Sequence, residues 1–324
     1  MNILVTSAGR RVKIIKYFKQ VLALEEGKVI ATDCDMNAPA IYFADNYEIV
    51  PRIDDPNYIQ ILLDICKKHR IDAILSLIDP ELEILANNQS LFNSKNVELI
   101  LSPSKYIDIS FDKYKTYTYL DSKGIQSVPT YFDLNFVKQM LQQGDLTYPL
   151  VVKPAKGSAS LGLFIVENEN ELHEAYHKFE GQMIQPFYKE KEFGIDVYID
   201  MLSGELVDMF IKEKIHMRAG ETDKSISIHN EKIEELIKKL VQKTEFVGPI
   251  DVDCFEYKGE YYISEINPRF GGGYPHAYEA GCNFMSYILK NLQGNENKLY
   301  NGFKYEKGLV MMKYDNVQLV HRSK

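Results

Sequence analysis

Short apolar runs alternate with helical spacing through the first hundred residues, and this alternation most limits what the chain can fold into. "NILVT" (2–6), "KVIAT" (28–32) and "DAILSL" (72–77) read as strands. Between them Val12, Ile15 and Leu22, and then Ile59, Leu62, Leu63 and Cys66, recur at the spacing of one helix face. Strands apolar along their whole length and joined by helices predict a parallel sheet covered on both faces. Asp33, Asp79 and Glu81 follow strands, so they fall at the carboxyl edge, where such sheets bind ligands. "SPSKY" (102–106) breaks the pattern and opens a new unit.

The remainder follows a different rule. "FGIDVYID" and "ELVDMFIK" flank a turn at Ser203–Gly204, and "DVDCFEY" and "EYYISEIN" flank Lys258–Gly259, which predicts antiparallel hairpins. Ile233, Leu236, Ile237, Leu240 and Val241 lie at helical spacing between them. The expected fold is α/β: an N-terminal parallel-sheet domain (1–103), a small lobe (104–182) and a large lobe (183–324), the last two forming an α+β unit.

With 38 basic and 46 acidic residues the net charge is -8, and no basic block is interleaved with aromatics, which argues against nucleic acid as a partner. Cys34, Cys66, Cys254 and Cys282 are widely spaced in mostly apolar surroundings, as expected of buried free thiols in a reducing compartment. No apolar run approaches membrane-spanning length, and the run before Arg10 and Arg11 is too short for a signal segment. A soluble cytoplasmic protein without a membrane partner is expected; a homodimer is left open.

Two segments carry chemistry. In "VVKPAKGSASLG" a strand ends at Lys153 and Pro154; Lys156, Gly157, Ser158, Ala159, Ser160 and Gly162 then form a small-residue loop whose backbone N–H groups suit an anion. The order is not that of a Walker A loop, and an ordinary flexible hairpin loop is the alternative. In "ISEINPRFGGG" (263–273), Glu265, Asn267 and Arg269 share one face of a strand. A three-residue loop at 258–260 sets Asp253 opposite Glu265, and two facing carboxylates plus an amide oxygen suit Mg²⁺ shared with phosphates. Arg269 then braces an anion, and the glycines admit substrate; taken alone, the strand also fits a solvated edge. Gln185 ends a short strand before Pro186, offering hinge backbone to an adenine, with Glu192 seven residues on for ribose; a charged surface loop is the other reading. His216, His229 and His276 lack metal-ligand spacing and read as surface or loop residues. Arg10 and Arg11 either contact an acceptor or simply begin a helix.

These segments, with "FDKYKTYTYLDSKGIQSVPT" between the N-terminal domain and the phosphate loop, resemble the ATP-grasp superfamily. The likeness is greatest to ligases like the carbamoyl phosphate synthase large chain and to the ligase of pyrrolysine biosynthesis; "ILVTSAGRR" resembles their pre-ATP-grasp domain. It covers nearly the whole chain. It implies an ADP-forming carboxylate–amine (or carboxylate–thiol) ligase that uses ATP and two Mg²⁺ ions, with Mn²⁺ as a substitute, on small-molecule substrates. Lys113 and Lys153 would then bind the α- and β-phosphates under the 157–162 loop. Gln185, Pro186 and Tyr188 would frame adenine, and Glu192 would take ribose. Asp253, Glu265 and Asn267 would hold the metals, and Arg269 with Arg218 would neutralise an acyl phosphate. Two departures stand out: many relatives carry Glu where Gln185 stands, and carbamoyl phosphate synthase large chains hold two such units. An ATP-binding module without turnover and a kinase acting on an oxygen acceptor are the competing readings.

Overall fold

The computed structural model describes residues 1–157 and 162–321. Five parallel strands, β1 (Asn2–Thr6), β2 (Lys28–Asp33), β3 (Asn46–Ile49), β4 (Ala73–Ser76) and β5 (Glu98–Leu99), form the first sheet in the order β3-β2-β1-β4-β5. Alternate side chains feed two cores, as the period of a strand requires. Ile3 and Val5 face α1 (Val12–Leu22), whereas Leu4, Ile30 and Ile74 face α2 (Tyr58–His69) and α3 (Asp79–Asn87). The α1 side does not end with this domain. Phe284, Met285, Ile288, Tyr198 and Phe210 from the far end of the chain complete it, so one apolar core fastens the parallel sheet to the C-terminal unit.

After α4 (Gln89–Asn93), α5 (Ser104–Phe111), α6 (Lys113–Ser122) and α7 (Leu134–Gln143) comes a three-stranded antiparallel sheet, β7-β6-β8: β6 (Leu150–Pro154), β7 (Phe164–Val166) and β8 (Gln182–Pro186), covered by α8 (Glu169–His177). The last sheet runs β13-β12-β9-β10-β11-β14 and is antiparallel: β9 (Glu192–Ile199), β10 (Leu206–Arg218), β11 (Glu221–Ser227), β12 (Gly248–Tyr257), β13 (Glu260–Asn267) and β14 (Val310–Met312). Its helices are α9 (Glu231–Lys243), α10 (Tyr274–Glu279) and α11 (Phe284–Leu292). One face of this sheet is apolar: Phe193, Ile195, Val197, Val252 and Ile211 pack on Ile233, Ile237 and Leu240 of α9. The period of two leaves Glu192, Gly194 and Asp196, Lys212 and Lys214, and Asp251 and Asp253 on the other face. The fold is the mixed α/β arrangement expected.

Three details differ from expectation. The β12–β13 turn has two residues, Lys258 (φ 52) and Gly259 (φ 76), with Tyr257 paired to Glu260. Asp253 still meets Glu265, because a bulge at Ser264 supplies the extra residue: Cys254 pairs with Ile263 but Asp253 with Glu265. The bulge lets Ile263 and Ile266 both enter the apolar core while Glu265 and Asn267 face the charged side. Of the cysteines, Cys34 is exposed and the other three are buried. His276 is no surface residue; it is buried on α10, its Nδ1 2.8 Å from Ser225 Oγ.

Candidate active site

The site begins with two neighbouring lysines, Lys113 and Lys153. Asp112 caps α6 by accepting from the N–H groups of Tyr114 and Lys115, which fixes Lys113 at the first turn. The Lys113 backbone N–H donates to Ala155 O at 3.0 Å and its Nζ to Gly157 O at 2.6 Å, tying α6 to the start of the glycine loop. Lys153, at the end of β6, stands close enough for repulsion from Lys113; burial first, and that neighbour second, lower its ammonium to about 8. Lys156 is exposed on the same loop. Gly157 (φ 111) and Gly162 (φ 74) both use the left-handed backbone region open to glycine, while Ser158 and Ser160 lie outside the described residues.

Opposite the lysines lies the charged face of the six-stranded sheet. Asp253 faces Glu265, and Asp251 faces Asn267, across the β12–β13 pair. Lys214 Nζ sits 2.7 Å from both Asp253 Oδ1 and Glu192 Oε1; burial depresses its pKa, but the two carboxylates outweigh that and raise it. Lys113 Nζ is 3.9 Å from Glu265, the longest ion pair in the group. Burial, then Asp253, push the Glu265 carboxyl up against the pull of Lys113. Burial, then Asp253 and Asp196, bring Asp251 up to about 7. Beneath them Lys212 and Asp196 form a wholly buried ion pair.

Two carboxylates facing each other, as Asp253 and Glu265 do, favour a cation between them. Two carboxylates and the Asn267 amide oxygen are hard oxygen donors too few to enclose an ion, a set that suits Mg²⁺ completed by phosphate oxygens and water. Among the described residues no group of three or more His, Cys, Asp or Glu is arranged to hold a metal.

Arg269 follows β13 and crosses to the parallel sheet: Nη2 is 2.6 Å from Asp79 Oδ2 and 3.3 Å from Asn267 Oδ1. Burial lowers its pKa, but Asp79 outweighs that and raises it. Asp79 is thus the edge carboxylate that reaches the site. Glu81 is buried under hydrogen bonds from Ser7, Ser76 and Tyr58, and Asp33 accepts from the Gly9 N–H, so both serve the fold. The three glycines that follow lie against the protein's own charged side chains. A Cβ on Gly271 would fall 2.4 Å from the Asp251 carboxyl carbon, one on Gly272 2.7 Å from Glu221 Cγ, and one on Gly273 2.6 Å from Lys212 Cε.

Beside Gly271 and Gly272 a cavity of about 820 Å³ opens between the start of α1, α10 and segment 309–318. Arg10, Arg11, Arg218 and Glu221 line it. Arg218 stands at its outer edge, held by Asp223 (3.1 Å) and Asp315 (3.0 Å), away from the cluster around Arg269. At the small-lobe end the Gln185 amide donates to Thr130 Oγ1 at 2.8 Å and is buried, so its side chain is turned from the cleft. Tyr188 stacks on Tyr257 with ring centroids 4.5 Å apart.

Sequence reasoning singled out Lys153, Asp253, Glu265, Asn267 and Arg269, which the fold does bring together with Lys113. It missed Asp251, Lys214 and the partnership of Asp79 with Arg269. Asp251 was within reach, two residues before Asp253 and therefore on the same face. The other two depend on tertiary pairing that no local pattern records.

Residues 110–273 match the ATP-grasp domain family, and residues 3–100 match the family described as PylC-like, N-terminal domain. The formate-dependent phosphoribosylglycinamide formyltransferase of Wigglesworthia glossinidia brevipalpis is 26% identical over 286 residues, covering 83% of this chain and 69% of that protein. Pyruvate carboxylase of Bacillus subtilis (strain 168) is 25% identical over 235 residues, 65% of this chain but only 20% of that longer protein. In fold, the ADP complex of N5-carboxyaminoimidazole synthetase from Staphylococcus aureus superposes with a TM-score of 0.74 at 21% identity, covering 97% of this chain and 82% of that one. No helix among the described residues is long and apolar enough to cross a membrane. With the ATP-grasp domain matched over half its length behind a PylC-like domain, the chain belongs to the ATP-grasp family of ATP-dependent ligases.

Proposed function

We propose that this ligase joins a carboxylate to an amine through an acyl phosphate, with release of ADP and phosphate, in the cytoplasm. The observation that supports it is the convergence of Lys113 and Lys153 with Asp253, Glu265, Asn267 and Arg269 beside a cavity large enough for a second substrate. ATP would lie between the small sheet and the charged face, its phosphates on the two lysines and under the 157–162 loop. Backbone at Pro186 and Tyr188 would frame adenine beside Gln185, and Glu192 would take the ribose. Asp253, Glu265 and Asn267 would hold two Mg²⁺ ions, or Mn²⁺ in their place, with Glu265 shared. The metal, when bound, supplies positive charge for the transferring phosphoryl group.

The chain's own part is to bind, orient and exclude water. A substrate carboxylate oxygen attacks the γ-phosphorus as the bond to ADP breaks. The amine nitrogen then attacks the acyl carbon, the carbon–oxygen bond breaks, phosphate leaves, and the nitrogen gives up a proton. Arg269, held by Asp79, would neutralise the acyl phosphate, whereas Arg218, paired at the rim, stands too far out to share that role. No protein side chain forms a covalent bond.

A panel of carboxylic and amino acids, incubated with Mg²⁺-ATP and hydroxylamine, tests this reading. ADP and a hydroxamate are expected together, and Arg269→Ala should lose the hydroxamate. ADP with a stable phosphate ester and no hydroxamate would show transfer to an oxygen acceptor, and nucleotide binding without ADP across the panel would show a binding module.

A further inference from the structure

We propose that the cavity takes a substrate with an anionic group of its own on an apolar body, and that Arg10, Arg11 and Lys313 hold that group around Glu221. This deepens the ligase reading and rests on it for the cavity's use as the acceptor site.

Three cations share one carboxylate. Arg10 Nη2 and Arg11 Nε are each 3.3 Å from Glu221 Oε1, and Lys313 Nζ is 3.2 Å from Oε2. All three distances exceed those of a tight charge-assisted hydrogen bond, and three cations stand against the one carboxylate. The excess lies in a recess, since the Arg11 and Glu221 side chains are only 19% and 20% exposed, in a chain whose net charge is -8. Elsewhere on the wall Lys13 pairs with Glu279 at 2.9 Å, and Arg218 is shared by Asp223 and Asp315. Burial, with the other cations adding to it, depresses both Arg11 and Lys313, so the cluster gains from an incoming anion.

The cluster is assembled from distant parts of the chain. Gly9 (φ 52) turns the backbone so that Arg10 and Arg11 open α1; Lys313 follows β14 and also donates to Gly272 O at 2.8 Å. Gly272 is the residue whose missing Cβ makes room for Glu221, while Gly271 does the same for Asp251, which lies among Asp253, Lys212 and Lys214. The anion cluster is therefore one residue further along the glycine run than the reacting end, where Arg269 stands. A group held there would lie beside the carboxylate being activated, since Arg11 is near enough to feel both Arg269 and Asp251. Val12, Tyr17, Phe43 and Met311 supply an apolar wall next to it.

Calorimetry on the whole chain, with and without saturating Mg²⁺-ADP, tests this with glutarate, glutaramide and inorganic phosphate as probes. Glutarate should bind about tenfold more tightly than the neutral diamide, and Arg11→Gln and Lys313→Gln should each weaken it about tenfold. Glu221→Gln removes the built-in competitor and should tighten it. Phosphate binding better than glutarate would support the cluster and make the substrate's group a phosphate. Equal binding of glutarate and glutaramide, glutarate affinity undiminished in folded Arg11→Gln and Lys313→Gln, or weaker binding in Glu221→Gln would overturn the proposal. Failure of Mg²⁺-ADP to bind would sink the ligase reading instead, and the nucleotide-free titrations would still decide this one.

Discussion

Lys153 is held at about 8 by burial and by Lys113, and phosphate would reverse both effects. Below that pH the side chain is already charged; above it, nucleotide binding must recruit a proton. Mg²⁺-ATP affinity should therefore fall as pH rises through about 8, with proton uptake visible as buffer-dependent heats of binding. Lys153→Arg, whose guanidinium stays charged, should flatten the profile, and a flat profile in the unaltered protein would remove Lys153 from the phosphates. Glu265 is the complementary case, a carboxylate whose raised pKa reflects burial and the facing Asp253. Glu265→Gln should lower the rate of ADP formation by about a hundredfold or more, as loss of electrostatic stabilisation does, while leaving the melting temperature unchanged or higher. Retained turnover there would end the metal assignment. These residues were legible because lysine before glycines, and alternate carboxylates on a strand, leave a local pattern. Lys214 leaves none: its place between Asp253 and Glu192 depends on how β10 lies against β9 and β12.

The β12–β13 hairpin shows where reading by element stops. Its two strands and the place of its turn follow from alternation and from Lys258–Gly259, but the turn is one residue shorter than expected, and Asp253 meets Glu265 only because of the bulge. The bulge at Ser264 does not follow from either, because one extra residue changes the facing of everything beyond it and nothing in the composition marks it. The glycine run is open to two explanations for a related reason: a small residue records that something is close, not what. Gly271 separates the two explanations experimentally. Gly271→Ala places a Cβ 2.4 Å from the Asp251 carboxyl carbon, so overpacking should cost about 1–3 kcal/mol and lower the melting temperature by a few degrees. A variant that melts unchanged but loses turnover would return the glycine to the substrate.

Across the whole molecule, the site belongs to neither half alone. The parallel sheet contributes Asp79 to Arg269 and Arg11 to Glu221, and the α1 core that runs on into Phe284, Met285 and Ile288 keeps those partners in place. The layout of sheets was readable from strand spacing, whereas this shared core was not, since it joins residues nearly three hundred positions apart. The central claim is that a carboxylate is phosphorylated and then displaced, and it leaves an isotopic record. With an acid that turns over in the panel, labelled with oxygen-18 in both carboxylate oxygens, the carbon–oxygen bond broken by the amine leaves one labelled oxygen on phosphate. Mass spectrometry of the released phosphate should therefore show one oxygen-18 per molecule; unlabelled phosphate, formed at the same rate as the amide, would contradict the account.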